Sequence, residues 1–202
     1  VMDGRRHQGA FCAVRPPGHH AERGAAMGFC FFNNVAVGAA HALHAHGLER
    51  IAIVDFDVHH GNGTEDIFSG DPRVLFCSSF QHPLYPGTGA GPTADNVVNL
   101  PLPARTEGPA YRAAVERAWL PRLDAFAPEL ILISAGFDGH AEDDMAHFNL
   151  READYAWITR EVHKLASRHA HERIVSCLEG GYTLSALGRC VSTHVDELIG
   201  HA

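Results

Sequence analysis

Five short apolar runs, alternating with helical stretches, constrain this chain more than anything else in it. GAFCAVR (9–15), RIAIVDFD (50–57), RVLFCSSF (73–80), ELILISAGFD (129–138) and RIVSCLEGGY (173–182) read as strands. The Ala-rich segment 33–47, closed by Gly47, reads as a helix, as do 151–170 and 183–200. A short helical segment is expected near 64–68, and a longer one over 108–128 with a kink or break at Pro121. Strands that are apolar along their whole length are covered on both faces. The pattern therefore predicts an α/β fold: one mainly parallel sheet between two layers of helices, in a single domain. The Pro- and Gly-rich region 81–107, with YPGTGAGP at its centre, is expected to be an irregular and functional loop.

Composition narrows the partners. The net charge of −8 argues against direct nucleic-acid binding or an anionic membrane surface. No apolar run approaches the roughly 20 residues a membrane span needs. The five cysteines (Cys12, Cys30, Cys77, Cys177, Cys190) form no C-x-x-C pair, and most lie in apolar runs. They read as small buried hydrophobes in a reducing cytoplasm. There are 16 histidines. Those on expected helices (His41, His44, His46, His163, His169, His171, His194) read as solvated; the pairs His19–His20 and His59–His60 stand apart because of their context.

In parallel α/β sheets, ligands bind beyond the carboxyl ends of the strands. Here the first strand runs into RPPGHH, the second ends in DFDVHHGNG, a later one in SAGFDGH and the last in EGGY. Acids at the ends of apolar runs are costly unless paired. Strand alternation would place Asp55, Asp57 and His59 on one side. Asp57, His59 and Asp138 together make a His/carboxylate set for a divalent cation with open positions; zinc, iron(II), cobalt and manganese all suit such ligands. From the residues alone, a buried Asp–His hydrogen-bonded pair would serve equally. His19 and His20, on a loop stiffened by Pro16 and Pro17, could move a proton, with Asp55 orienting one of them. Tyr182, after Gly180 and Gly181, could donate to a developing oxyanion.

RPPGHH, GFCFFNN, DFDVHHGNGT, YPGTG, SAGFD and EGGY occur in that order, and the set resembles the zinc-dependent histone deacetylase family of the arginase/deacetylase superfold. The EGGY ending and the Asn of HHGNG are similar to its class II and bacterial amidohydrolase branches. The resemblance implies a deacetylase acting on acylated lysine or a related acylated amine. It implies Zn2+, with Fe2+ or Co2+ as substitutes, on Asp57, His59 and Asp138. It makes His20 the general base and acid, His19 its electrostatic partner paired with Asp55, and Tyr182 the group that polarises the scissile carbonyl. Asn62 stands where class I members carry an Asp, so His20 is expected to be less basic here. Phe29 and Tyr85 match the walls of an acyl-lysine tunnel, Gly28 its floor and Met145 its rim. Asp55, Asp57, His59, Ser78 and Ser79 match a potassium site.

His60 gains only local packing or hydrogen bonding. It also stands where a two-metal ureohydrolase of the same superfold would need an acid. The family carries further sequence before RPPGHH, so an N-terminal truncation is expected, with an exposed sheet edge that a partner or a second copy could cover. An acetylpolyamine amidohydrolase and a non-catalytic acyl-binding fragment are the alternative readings.

Overall fold

The computed structural model describes residues 1–2 and 9–200. Six strands form one sheet: β1 (Gly9–Cys12), β2 (Ile51–Asp55), β3 (Val74–Gln81), β4 (Val97–Leu102), β5 (Leu130–Ala135) and β6 (Ile174–Leu178). Their order is β1-β6-β5-β2-β3-β4, and every pairing is parallel. The helices are α1 (Asn34–Ala45), α2 (Asn62–Phe68), α3 (Gly108–Ala118), α4 (Leu120–Phe126), α5 (Glu152–His169) and α6 (Leu184–Leu198).

Alternation along the central strands divides the core in two. Ile51 and Ile53, with Val74, Phe76, Leu130 and Leu132, pack against Val35, Ala36, Ala39 and Ala42 of α1. Ala52 and Val54, with Leu75, Cys77, Ile131 and Ile133, face Tyr111, Leu123, Ile158 and Val162 from the helices α3 to α5. The result is the expected three-layer arrangement. All residues of β2, β3 and β5 are buried, which is why those runs lack polar alternation.

Three expectations change. Region 81–107 is not wholly irregular: it contains β4, paired with β3 from Phe76↔Val97 to Gln81↔Leu102. Pro101 is tolerated because β4 is an edge strand, where no neighbour needs its missing N–H. The break in segment 108–128 falls at Trp119, which joins α3 to α4, while Pro121 sits in the first turn of α4, where its lack of an N–H costs nothing. His194 is not solvated. It is completely buried, with Nδ1 at 2.6 Å from Thr159 Oγ1 of α5 and Nε2 at 2.8 Å from Ser176 Oγ of β6.

Burial lowers the pKa of His194 to about 3. The unfolded chain therefore binds a proton below its ordinary value near 6.5 that the folded chain refuses. The stability this residue permits is complete above pH 6.5 and falls by about 1.4 kcal/mol per pH unit as pH drops toward 3. Urea unfolding of wild type and His194→Gln between pH 7 and 4.5 should show a flatter acid loss in the variant; parallel curves would contradict this assignment.

Candidate active site

β2 stops at Asp55, so Asp57 and His59 lie in the loop beyond it and not on the strand. Their convergence has another cause. The Asp57 N–H donates to Asp55 Oδ1 (3.1 Å), and the His59 N–H donates to Asp57 Oδ1 (2.8 Å). Two successive Asx turns thus stack the three side chains on one side. From beyond β5, Asp138 Oδ1 accepts the Val58 N–H at 3.1 Å, which aims its other oxygen at His59.

His59 Nδ1 lies 3.0 Å from both Asp57 Oδ1 and Asp138 Oδ2, and the three ligand atoms are mutually within 4.8 Å. One ring nitrogen carries at most one hydrogen and cannot satisfy two carboxylate oxygens. Both acids are almost completely buried. Burial opposes charge on His59, yet its hydrogen bonds to Asp138 and Asp57 outweigh that and push its pKa well up. Burial and the neighbouring Asp57 push Asp138 up in turn. Even with His59 protonated, the cluster keeps a negative charge in excess. A divalent cation in place of that proton is what the donor set fits. Gly180 completes the cradle. Its N–H donates to Asp57 Oδ2 at 2.9 Å, and a Cβ there would lie 2.1 Å from Asp138 Oδ2.

The histidine pair stands beside this cluster, the rings 4.1 Å apart between centroids. His19 Nδ1 donates to Asp55 Oδ2 at 2.9 Å. Burial opposes its charge, but Asp55 and Asp57 prevail and raise its pKa. His20 Nδ1 is 2.7 Å from Asn62 Oδ1. Burial and the neighbouring His19 lower its pKa to about 3, which leaves His20 a neutral base. Tyr182 closes the far side; burial first, then Asp57 and Asp138, hold the proton on its phenol.

His19, His20, Asp57, His59, Gly180 and Tyr182 line a cavity of about 410 Å³, together with Gly28, Phe29, Leu84, Tyr85 and Met145. Phe29, Tyr85 and Met145 are exposed around it, and the Phe29 ring meets Tyr182 edge-on at 6.4 Å. Gly28 has a φ of 56° and packs so close to the His20 ring that a Cβ would lie 2.2 Å from Cδ2. Of the expected potassium ligands, Ser78 sits beside Asp55 in the sheet register, and its buried hydroxyl has no hydrogen-bond partner among the described residues. The Ser79 hydroxyl is engaged by Tyr111 at 3.1 Å. His60 is a local brace: Nδ1 meets Thr88 Oγ1 and Nε2 meets Glu65 Oε2, both at 2.8 Å.

Glu179 and Asp143 escaped the sequence reading although both support the site. Glu179, of the EGGY motif, is buried and accepts from Gly18 N (2.6 Å), His19 N (3.1 Å) and Ser134 Oγ (2.9 Å), tying the histidine loop to β6. Burial pushes its pKa up to about 7. Asp143 accepts the N–H groups of Tyr182 (2.7 Å) and Thr183 (2.9 Å), fixing the tyrosine's backbone. A second group, His140, Glu152 and Cys190, also gathers ligand-type atoms. There His140 Nδ1 accepts the Glu142 N–H at 3.2 Å, so Nε2 carries the proton and lies 3.5 Å from Glu152 Oε2. That nitrogen is buried and makes no hydrogen bond among the described residues.

Residues 1–198 match the family model described as the histone deacetylase domain. The chain is 43% identical over 196 residues to histone deacetylase 14, chloroplastic, of Arabidopsis thaliana, covering 94% of this chain and 46% of that protein. It is 42% identical over 212 residues to the mouse polyamine deacetylase HDAC10, covering 99% of this chain and 31% of that protein. Among solved structures it is similar to the HDA15 HD domain, with a TM-score of 0.89, 36% identity, and coverage of 96% of this chain and 57% of that one. The sheet and its flanking helices thus have the deacetylase fold that the motifs implied. The chain spans less than half the length of the two relatives named here. No helix among the described residues is long and apolar enough to cross a membrane.

Elemental analysis after zinc loading should give one ion per chain in wild type and near none in Asp138→Ala; full retention in the variant would exclude this ligand set.

Proposed function

This chain belongs to the histone deacetylase family, and from that premise we propose that it hydrolyses the amide bond of acylated lysine side chains, releasing acetate and a free amine. The observation that carries the reading is the convergence of Asp57, His59, the His19–His20 pair and Tyr182 on one cavity, with Asp138 behind His59. Mere binding of an acyl group would not need two oriented histidines beside a cation cluster. Zn2+ is the proposed ion; held by Asp57, His59 and Asp138, it supplies a Lewis acid that polarises the scissile carbonyl and acidifies a water. Fe2+ or Co2+ would suit the same nitrogen and oxygen donors.

The roles of the chain's own residues follow from their partners. His20 Nδ1 faces an acceptor in Asn62. Its Nε2 is therefore the nitrogen that takes the proton of the attacking water and returns it to the leaving amine. Asp55 holds the neighbouring His19 charged, and burial together with that charge keeps His20 unprotonated until the reaction begins. The Tyr182 hydroxyl keeps its proton and donates it as a hydrogen bond to the oxyanion of the tetrahedral intermediate. Exposed Phe29 and Tyr85 flank the methylene stem of the substrate, with Met145 at the rim and Gly28 leaving room beside His20. The unpartnered Ser78 hydroxyl beside Asp55 supports a potassium ion near the main site, with Asp57 and His59 adjoining it and Ser79 a weaker candidate because Tyr111 engages its hydroxyl. Five free cysteines are in keeping with a reducing compartment such as the cytoplasm.

An acetylated polyamine is the second substrate reading, favoured by the likeness to the mouse polyamine deacetylase. Both substrates present an acyl group on a slender amine, so one tunnel accommodates either. A mass-spectrometric panel of acetyl-lysine peptides and acetylated polyamines decides between them; turnover of neither by the zinc-loaded protein would overturn the proposal. Tyr182→Phe should lower kcat by roughly 10²- to 10³-fold with zinc content unchanged. Wild-type turnover in that variant would remove the role given to the hydroxyl.

A further inference from the structure

An amide can support a histidine in two orientations, and only one of them leaves the base usable. With its oxygen toward Nδ1, Asn62 makes His20 carry its proton on Nδ1 and keeps Nε2 free. Turned over, the amide would donate to Nδ1 and place the proton on Nε2, where it blocks the base. The His20–Asn62 contact alone does not choose between these states.

The other end of Asn62 does. Its Nδ2 lies 2.7 Å from Glu22 Oε1. A carboxylate only accepts, so this contact admits the NH2 group and rejects the carbonyl oxygen. The remaining neighbours of Nδ2 are weaker: His20 O at 3.5 Å and Met27 Sδ at 3.1 Å. Both partners are held. Asn62 is the first residue of α2, and the next two N–H groups, of Gly63 and Thr64, donate to His19 O at 3.0 and 3.3 Å. The loop carrying Glu22 is clamped to the same helix by Arg23. Its backbone N–H donates to Asp66 Oδ2 at 2.9 Å, its Nε to Asp66 O at 3.2 Å and its Nη2 to Ile67 O.

We propose that Glu22 is a positioning residue that locks the Asn62 amide with its oxygen toward His20, and so sets the tautomer of the proposed general base. This rests on the deacetylase reading for its kinetic consequence but not for its structural one. It also restores a carboxylate behind His20, one residue further out than an Asp at position 62 would put it. That arrangement carries a second consequence. An Asp at 62 would bring its charge against Glu22, so Asn62→Asp should be damaging with Glu22 present and milder in its absence.

The test combines kinetics with 15N NMR of the histidine side chains in the zinc-loaded protein. Glu22→Ala should lower kcat by about 10- to 100-fold, the range for removing a group that orients a ligand or base, with KM little changed. Glu22→Gln, whose Oε1 can still accept, should recover most of that loss, and Asn62→Asp/Glu22→Gln should exceed Asn62→Asp alone. In the spectra, His20 should be the Nδ1–H tautomer in wild type and Glu22→Gln, and shift toward Nε2–H in Glu22→Ala. An unchanged tautomer in Glu22→Ala would overturn the proposal whether or not the protein hydrolyses any substrate. Absence of hydrolysis with the tautomer shift intact would count against the deacetylase reading alone.

Discussion

Four carboxylates buried at one edge of a parallel sheet set the terms for everything around them. Asp55, Asp57, Asp138 and Glu179 are each at most 1% exposed. Left unpaired, such groups would be too costly to keep. Each is met by a particular device: Asp55 by the His19 ring, Glu179 by two backbone N–H groups and a serine, Asp57 by the Gly180 and His59 amides, and Asp138 by the Val58 amide. These contacts do not exhaust the charge. The remainder is gathered where Asp57 and Asp138 face a single imidazole nitrogen, and a bound cation would resolve it.

The sheet order makes this concentration feasible. The chain builds β2, β3 and β4 outward on one side, then returns to place β5 and β6 on the other side of β2. The connections leaving β2 and β5 therefore diverge, and a crevice opens between their carboxyl ends. Asp57 and His59 enter it from β2, Asp138 from β5 and Tyr182 from β6. The loop after β1 adds the histidine pair, held across the crevice by Glu179. Apolar layers on both faces fix the strands, so the positions of their ends are fixed too.

Much of this was legible in the sequence, because apolar runs that end in acids are hard to explain otherwise. Five of the six strands, the layers and most of the groups that line the cavity could be placed from motifs and their order. The reason Asp57 and His59 converge could not: strand alternation suggested it, whereas Asx turns beyond the strand produce it. β4 was hidden because Pro101 reads as a breaker unless its edge position is known. His194 was hidden because a helix pattern does not reveal that threonine and serine await it on two other elements. Glu179, Asp143 and Glu22 act through backbone amides or another side chain, and contacts between residues so far apart in sequence leave no local spacing to read.

Two groups of ligand-type side chains are present among the described residues, and they differ in chemistry. Asp57, His59 and Asp138 offer only nitrogen and oxygen, whereas the group of His140, Glu152 and Cys190 includes a thiol. X-ray absorption at the zinc edge of the loaded protein separates them directly. The expected result is a first shell of nitrogen and oxygen alone, at about 2.0–2.2 Å. A sulfur neighbour at about 2.3 Å, or failure to take up zinc at all, would contradict the assignment of the buried acids to a metal centre.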